Sequence, residues 1–133
     1  MTTHAKGTFE VKVLPLANDH AEAAGLGRMS IDKQFHGDLE ASSQGQMLSA
    51  MSSVKGSAGY VAMERVSGTL KSRKGSFVLQ HTGAMNRGVP KLTVSVVPDS
   101  GTDELTGLSG KLTIIVADGK HSYDFEYSLP ESQ

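Results

Sequence analysis

The dipeptide Asp118-Gly119 sits between two runs in which apolar and polar residues alternate, and that combination admits few folds. A two-residue type I′ turn needs positive φ at both central positions, which Asp and Gly tolerate. Closing such a turn pairs Val116 with His121, Ile114 with Tyr123 and Leu112 with Phe125. Directly opposed residues share a face. The large apolar side chains therefore fall together, and Ser122, Asp124, Glu126 and Ser128 fall on the other side. Turn chemistry and side-chain period agree on an antiparallel hairpin.

The same period runs through most of the chain. Ala5 to Leu14 places Phe9, Val11 and Val13 on one face, and Pro15 ends the strand. Leu16 to Gly25 is a polar, Ala-rich connector with room for one helical turn. Gly27 to Glu40 is a long second strand with Met29, Ile31, Lys33, Phe35 and Leu39 in one parity. The cluster Ser42-Ser43-Gln44-Gly45 predicts a turn, and Gln46 to Val54 a third strand whose facing is ambiguous. Tyr60 to Leu70, Gly75 to Met85, Pro90 to Val97, Lys111 to Ala117 and Lys120 to Leu129 complete a set of eight, with a turn-rich stretch over Asp99 to Gly110. No segment sustains a helical period.

Two further hairpins test this order. A loop over Asn86-Arg87-Gly88-Val89 sets Met85 beside Pro90, His81 beside Val94 and Leu79 beside Val96, again with consistent parity. A Ser72-Arg73 turn puts Glu64 beside His81, Val66 beside Leu79 and Gly68 beside Phe77. A slip of one residue there brings Arg65 to His81 instead and reverses the strand's faces. Eight antiparallel strands can form a sandwich or close into a barrel, and closure removes the exposed edges.

Composition narrows the function classes. The 133 residues suit one domain, residues 1–133, with a core large enough to need no staples. There is no cysteine, which rules out disulfides, thiolate metal sites and cysteine nucleophiles and fits a reducing compartment. Thirteen basic and fourteen acidic residues give a net charge of -1 without a run of either sign. Nucleic-acid binding and a polybasic membrane anchor both need a basic stripe, so neither partner is expected. The first residues lack the apolar region of a secretory signal, and no stretch approaches the roughly 20 apolar residues that span a bilayer. The expected location is cytoplasmic. Fifteen glycines against four prolines suit many tight turns.

Several stretches carry a family resemblance: Gly27-Arg-Met-Ser-Ile-Asp-Lys-Gln-Phe35, Lys55-Gly-Ser-Ala-Gly-Tyr-Val-Ala-Met-Glu64, Gly75-Ser-Phe-Val-Leu-Gln-His81, Val97-Pro-Asp-Ser-Gly-Thr102 and Tyr123-Asp-Phe-Glu-Tyr127. With the run from Asp99 to Ile114, they make the chain resemble, over nearly its whole length, an uncharacterised bacterial family. That family is of the allene oxide cyclase barrel-like group, related in fold to allene oxide cyclases and dirigent proteins. The resemblance implies an all-β, eight-stranded antiparallel closed barrel and a homo-oligomer. It implies no settled activity, and no motif here carries the chemistry of either relative.

Candidate site residues follow from inward parity. Glu64 and His81 share a face with Phe77, Leu79 and Val94. A carboxylate in apolar surroundings has its pKa raised, a neighbouring imidazolium opposes that rise, and such a pair can move a proton near neutral pH. The bland alternative is a buried Glu–His hydrogen bond with no other role. Lys33, between Ile31 and Phe35, is a lumenal cation for a carboxylate or enolate oxygen, or else an amine that snorkels to the rim. Tyr123, Phe125 and Tyr127 form an aromatic stripe that joins Phe9, Phe35 and Phe77 in lining a pocket or simply packing a core. Tyr60 joins this wall in the register that points Glu64 inward, and His121 joins it through its pairing with Val116.

Among His4, His20, His36, His81 and His121 no metal-like spacing occurs. His36 with Asp38 and Asp32 could clip a metal, but a polar strand face explains them better. Gly25-Leu-Gly27 and Gly107-Leu-Ser-Gly110 lack the spacing of nucleotide loops, and no nucleophile elbow occurs, so no metal and no cofactor is expected.

Three functions remain open. One is a lumenal isomerase, cyclase or lyase that works by cofactor-independent acid–base chemistry. Another is a carrier or sensor for a small apolar or weakly acidic metabolite. The third is a structural oligomer with a filled barrel. Val61, Met63, Val78 and Ile115, on the outward parity, are the candidates for a subunit contact.

Overall fold

The computed structural model describes residues 2–16 and 25–130. The Leu16–Gly25 connector over residues 17–24, and with it His20, lies outside the described residues. Eight strands follow one another around a closed antiparallel barrel: β1 Thr3–Pro15, β2 Leu26–Gly37, β3 Leu39–Met51, β4 Ala58–Leu70, β5 Arg73–Asn86, β6 Val89–Val96, β7 Ser109–Ala117 and β8 Lys120–Ser128. β1 pairs with β8 from Thr3↔Tyr127 to Phe9↔His121, which closes the ring. A 3-10 turn at Asp103–Leu105 is the one helical element among the described residues, and no helix is long and apolar enough to cross a membrane.

Two hairpins match the sequence reading pair for pair. Val116↔His121, Ile114↔Tyr123 and Leu112↔Phe125 flank Asp118 and Gly119, whose φ values of 52° and 75° are those a type I′ turn requires. Met85↔Pro90, His81↔Val94 and Leu79↔Val96 flank Arg87 and Gly88, also at positive φ.

Two expectations are corrected. The chain does not turn at Ser42–Gly45. It reverses at Gly37-Asp38, and β3 runs straight through the polar cluster. Gly37 adopts φ 107°, its N–H donates to Glu40 Oε1, and the Asp38 carboxylate accepts from Lys6 N–H at 2.9 Å. A Gly-Asp step anchored at both ends outcompetes serines that are content in a strand. The β4–β5 turn is Lys71-Ser72, not Ser72-Arg73, so the register shifts by two residues. Glu64 faces Leu79, Val66 faces Phe77, Gly68 faces Gly75, and His81 faces Ala62. A two-residue shift preserves parity, so Glu64 and His81 remain on the inner face as diagonal neighbours, and Arg65 points out to solvent.

The two ends of the barrel differ. At the end holding the β2–β3 and β4–β5 turns, aromatic rings fill the interior. Phe77 stacks on Phe125 at 5.7 Å, Phe125 on Tyr127 at 5.2 Å, and Phe35 meets Tyr123 edge-on at 5.6 Å. The segment between β6 and β7 seals this end. Thr102 and Ser100 hydrogen-bond to β5 backbone at Ser76 and Val78, and Leu105 and Leu108 plug the core. Gly75 makes room for the plug, because a Cβ there would lie 2.3 Å from the Thr102 carbonyl. At the other end the inward residues Val13, Met85, Leu92 and Val116 are exposed. The barrel is closed at one end and cupped at the other.

The Tyr123 hydroxyl ties the closed end to the corrected turn. It donates to the His36 carbonyl at 2.9 Å, accepts from Leu39 N–H at 2.9 Å and lies 3.3 Å from the Leu39 carbonyl. Burial raises its pKa, so it stays a neutral donor. Tyr123→Phe leaves these buried backbone groups short of partners. It is expected to lower stability by about 1–3 kcal/mol in urea unfolding with m unchanged.

Candidate functional site

Four polar side chains are buried among the described residues, and all four point into the middle of the barrel: Lys33 on β2, Ser43 on β3, Glu64 on β4 and His81 on β5. Strand alternation puts them there. Lys33 pairs with Ser43, Ser43 with Val66, and His81 with Ala62, all on the inward parity. Gly45 stands opposite Glu64, and a Cβ there would lie 2.8 Å from Glu64 Cβ, so the missing side chain leaves the carboxylate its place.

The geometry centres on Glu64, which is 1% exposed. Lys33 Nζ donates to Oε1 at 3.3 Å and lies 3.0 Å from Oε2. His81 Nε2 lies 3.5 Å from the same Oε2. The ammonium is also held between rings, 5.1 Å from the centre of Phe9 and 5.8 Å from that of Phe35. Burial by itself pushes the Glu64 carboxyl up. The His81 imidazole and the Lys33 ammonium outweigh burial and hold it below the ordinary carboxylate range. The sequence alone left burial and the imidazolium in opposition. The neighbour it did not pair with Glu64 is Lys33, two strands away around the barrel.

Above this cluster, toward the open end, lies a cup of about 360 Å³. Its inward walls include Met47, Ser49, Tyr60, Met85, Pro90 and Leu92, and among the described residues Lys91 is the one charged residue that borders it, from the outward parity of β6. Tyr60 is common to both regions. It lines the cup, and its ring centre is 6.3 Å from that of His81. Burial and then the Glu64 charge raise the Tyr60 pKa, so its hydroxyl remains a donor at neutral pH. Gly83 lies under the Tyr60 ring, where a Cβ would come within 2.2 Å of it.

The sequence-derived candidates divide between these levels. Glu64, His81 and Lys33 form the polar cluster, and Tyr60 lines the cup. Phe35, Phe77, Leu79, Val94, Tyr123, Phe125 and Tyr127 are buried in the hydrophobic core and do not line the cup. His121 is half-buried against Phe9, with ring centres 5.3 Å apart. His36 pairs with Glu10 on the outer surface, and no group of three or more metal-ligating side chains gathers among the described residues. Val61 and Met63 are exposed, as is Ile115, while Val78 is half-buried. Ser43, Met47, Ser49 and Leu92 escaped the sequence reading as site residues. The first three were hidden by the misplaced turn, and recognising Gly37-Asp38 as the reversal would have set their parity.

A buried ion pair broken on one side costs more than one replaced whole. Glu64→Gln is expected to destabilise the fold by about 3–5 kcal/mol, because Lys33 is left uncompensated. The double change Lys33→Met with Glu64→Leu should recover most of that loss in urea unfolding. The pH dependence has a fixed sign. A carboxyl lowered in the folded state adds stability that is fully present above its unfolded pKa of about 4.3 and is lost as pH falls through the lower folded value. The double variant should therefore show a shallower acid limb in stability measured between pH 6 and pH 2.

Residues 5–127 match a family model described as a protein of unknown function, DUF3224. A crystal structure from Shewanella oneidensis MR-1, described as a protein with unknown function from the DUF3224 family, is 50% identical. The match covers 99% of this chain and 100% of that one, with a TM-score of 0.92. No curated protein matches significantly. Neither similarity carries the link to allene oxide cyclases or dirigent proteins. The chain, an eight-stranded closed barrel with a buried Lys33–Glu64–His81 cluster beneath an apolar cup, belongs to the DUF3224 family.

Proposed function

We propose that this barrel binds a small, mainly apolar or weakly acidic molecule in the cup at its open end. The observation that carries this reading is the cup itself. Its volume of about 360 Å³ falls in the range of small-molecule sites, and its walls are inward side chains that a filled barrel would have covered. Tyr60 supplies a neutral hydroxyl to orient the ligand or to meet a weakly acidic group. The closed half, packed with aromatic rings, serves as the rigid base on which the cup stands.

A second reading, acid–base catalysis, rests on one observation. Glu64 Oε2 and His81 Nε2 are sealed from solvent, 3.5 Å apart, and neither has a well-aligned hydrogen-bond partner. Lys33 makes Glu64 a weak base, so in this reading His81 takes the proton and Glu64 steadies the imidazolium that forms. Isomerisation or cyclisation by proton abstraction would suit such a pair. The cup is not lined by either residue, and for that reason binding stands as the primary function.

The test uses the compact fluorophore 1-anilinonaphthalene-8-sulfonate. It should bind saturably at one site per chain and raise the unfolding temperature by mass action. Gly83→Ala pushes the Tyr60 ring toward the cup and should weaken binding at least fivefold while the circular dichroism spectrum is unchanged. Non-saturable binding, or binding indifferent to this substitution, would remove the cup from consideration. For any compound found to be turned over, His81→Asn should abolish turnover yet leave its binding within about threefold; undiminished turnover would end the catalytic reading.

A further inference from the structure

The barrel wall is uneven. β6 is in register with β5 along its length, from Asn86↔Val89 to Leu79↔Val96, and β7 with β8 from Ser109↔Ser128 to Ala117↔Lys120. Between β6 and β7 the register consists of one pair, Ser95↔Lys111. That pair sits toward the closed end. From it to the open end, residues 89–94 of β6 and 112–117 of β7 run without a ladder between them. Val94 and Leu112, the first residues past that pair, are still buried in the core, so the split opens over residues 89–93 and 113–117, roughly 13–17 Å at about 3.3 Å per residue.

Pro90 helps explain why the ladder stops. The Arg87-Gly88 turn closes on the Asn86↔Val89 pair, so Pro90 turns its nitrogen away from β5 and toward the split. That nitrogen has no hydrogen to donate. Extending the Ser95↔Lys111 register would set Pro90 opposite Val116, where the backbone bond cannot form. The inward side chains along the split are apolar. Leu92 is 42% exposed and Val116 63%, although both belong to the inward parity. The split also joins the cup, since Pro90, Lys91 and Leu92 of β6 form part of the cup's lining.

We propose that the β6–β7 split is a lateral extension of the cup that receives an unbranched apolar chain, so the ligand is an elongated amphiphile and not a compact ring. This rests on the cup as the binding site and adds the shape of its ligand. A compact molecule in the cup would cover Leu92 and leave Val116 in water, whereas an extended chain running from the cup into the split covers both and needs no hydrogen bond from Pro90. A peptide strand fits the split less well, because it would meet that missing donor on β6.

Two probes separate the possibilities: 1-anilinonaphthalene-8-sulfonate, which is compact, and 11-(dansylamino)undecanoic acid, which carries a long chain. The long-chain probe should bind at least tenfold more tightly. Val116→Glu places a carboxylate in the split and should weaken the long-chain probe at least tenfold while the compact probe changes less than twofold. If that variant has an altered circular dichroism spectrum, Thr93→Cys with Thr113→Cys takes its place, in a chain with no other cysteine. Oxidation should then slow long-chain association at least tenfold, and reduction should restore it. Long-chain binding unchanged in the folded seam variant, or equal loss of both probes, overturns the proposal. Failure of both probes on the unaltered protein removes the cup itself as a site, and the lateral extension with it.

Discussion

Closing eight strands into a ring sends every second side chain into a space barely wider than the side chains themselves. Everything else in this protein answers to that constraint. Apolar residues that enter the space pack against rings from the opposite wall, as Phe77 does on Phe125. A charged residue that enters it must find its opposite there, because water is excluded. Glu64 finds Lys33 at 3.0 Å, and Lys33 finds Phe9 and Phe35 on its flanks. Removing either charge leaves the other in surroundings that disfavour it.

The same constraint separates scaffold from site. Aromatic residues concentrate on the β8 stripe and on the facing strands near the closed end, where the 97–108 segment lays a plug over them. Toward the open end the inward positions are occupied by smaller or unbranched side chains such as Met47, Ser49 and Met85, and among the described residues Tyr60 is the one aromatic ring lining the cup. A cup is what remains. The buried polar cluster marks the boundary, with Tyr60 reaching from the cup toward His81. The single β6–β7 pair adds a slit to one wall of that cup without opening the closed end.

Local signals resolved most of the strands because turn chemistry and alternation act within a few residues. Asp118-Gly119 and Arg87-Gly88 each demanded positive φ, and the registers they imposed occur as read. The reading failed where two turn signals competed. Ser42–Gly45 looked like a turn by composition, yet Gly37-Asp38 was fastened by Lys6 N–H, a partner from β1 that lies more than thirty residues away. The β4–β5 turn was misplaced by one position because Lys71 and Ser72 both adopt positive φ without the glycine that usually advertises it. The first error left the facing of β3 open, whereas in the second the side-chain parity survived. The inward face of β4 was therefore correctly read even though its partners were not.

The sequence by itself determined the β architecture and the hairpins at the open end, because a period of two is local and a tight turn admits few residues, and it offered Lys33, Glu64 and His81 as inward residues with Arg65 as the alternative on β4. Tertiary structure decided which of those residues meet. Lys33 and Glu64 are 31 positions apart on strands that flank β3 and do not pair with each other, and the inward curl of the barrel wall across Gly45 brings the ammonium to the carboxylate. With His81, that contact holds the carboxyl low where burial by itself would raise it. Closure also decided that the aromatic stripe became a core and that the open half became a cup. How far opposite walls of a barrel stand from each other depends on all eight strands at once, and no single segment encodes it.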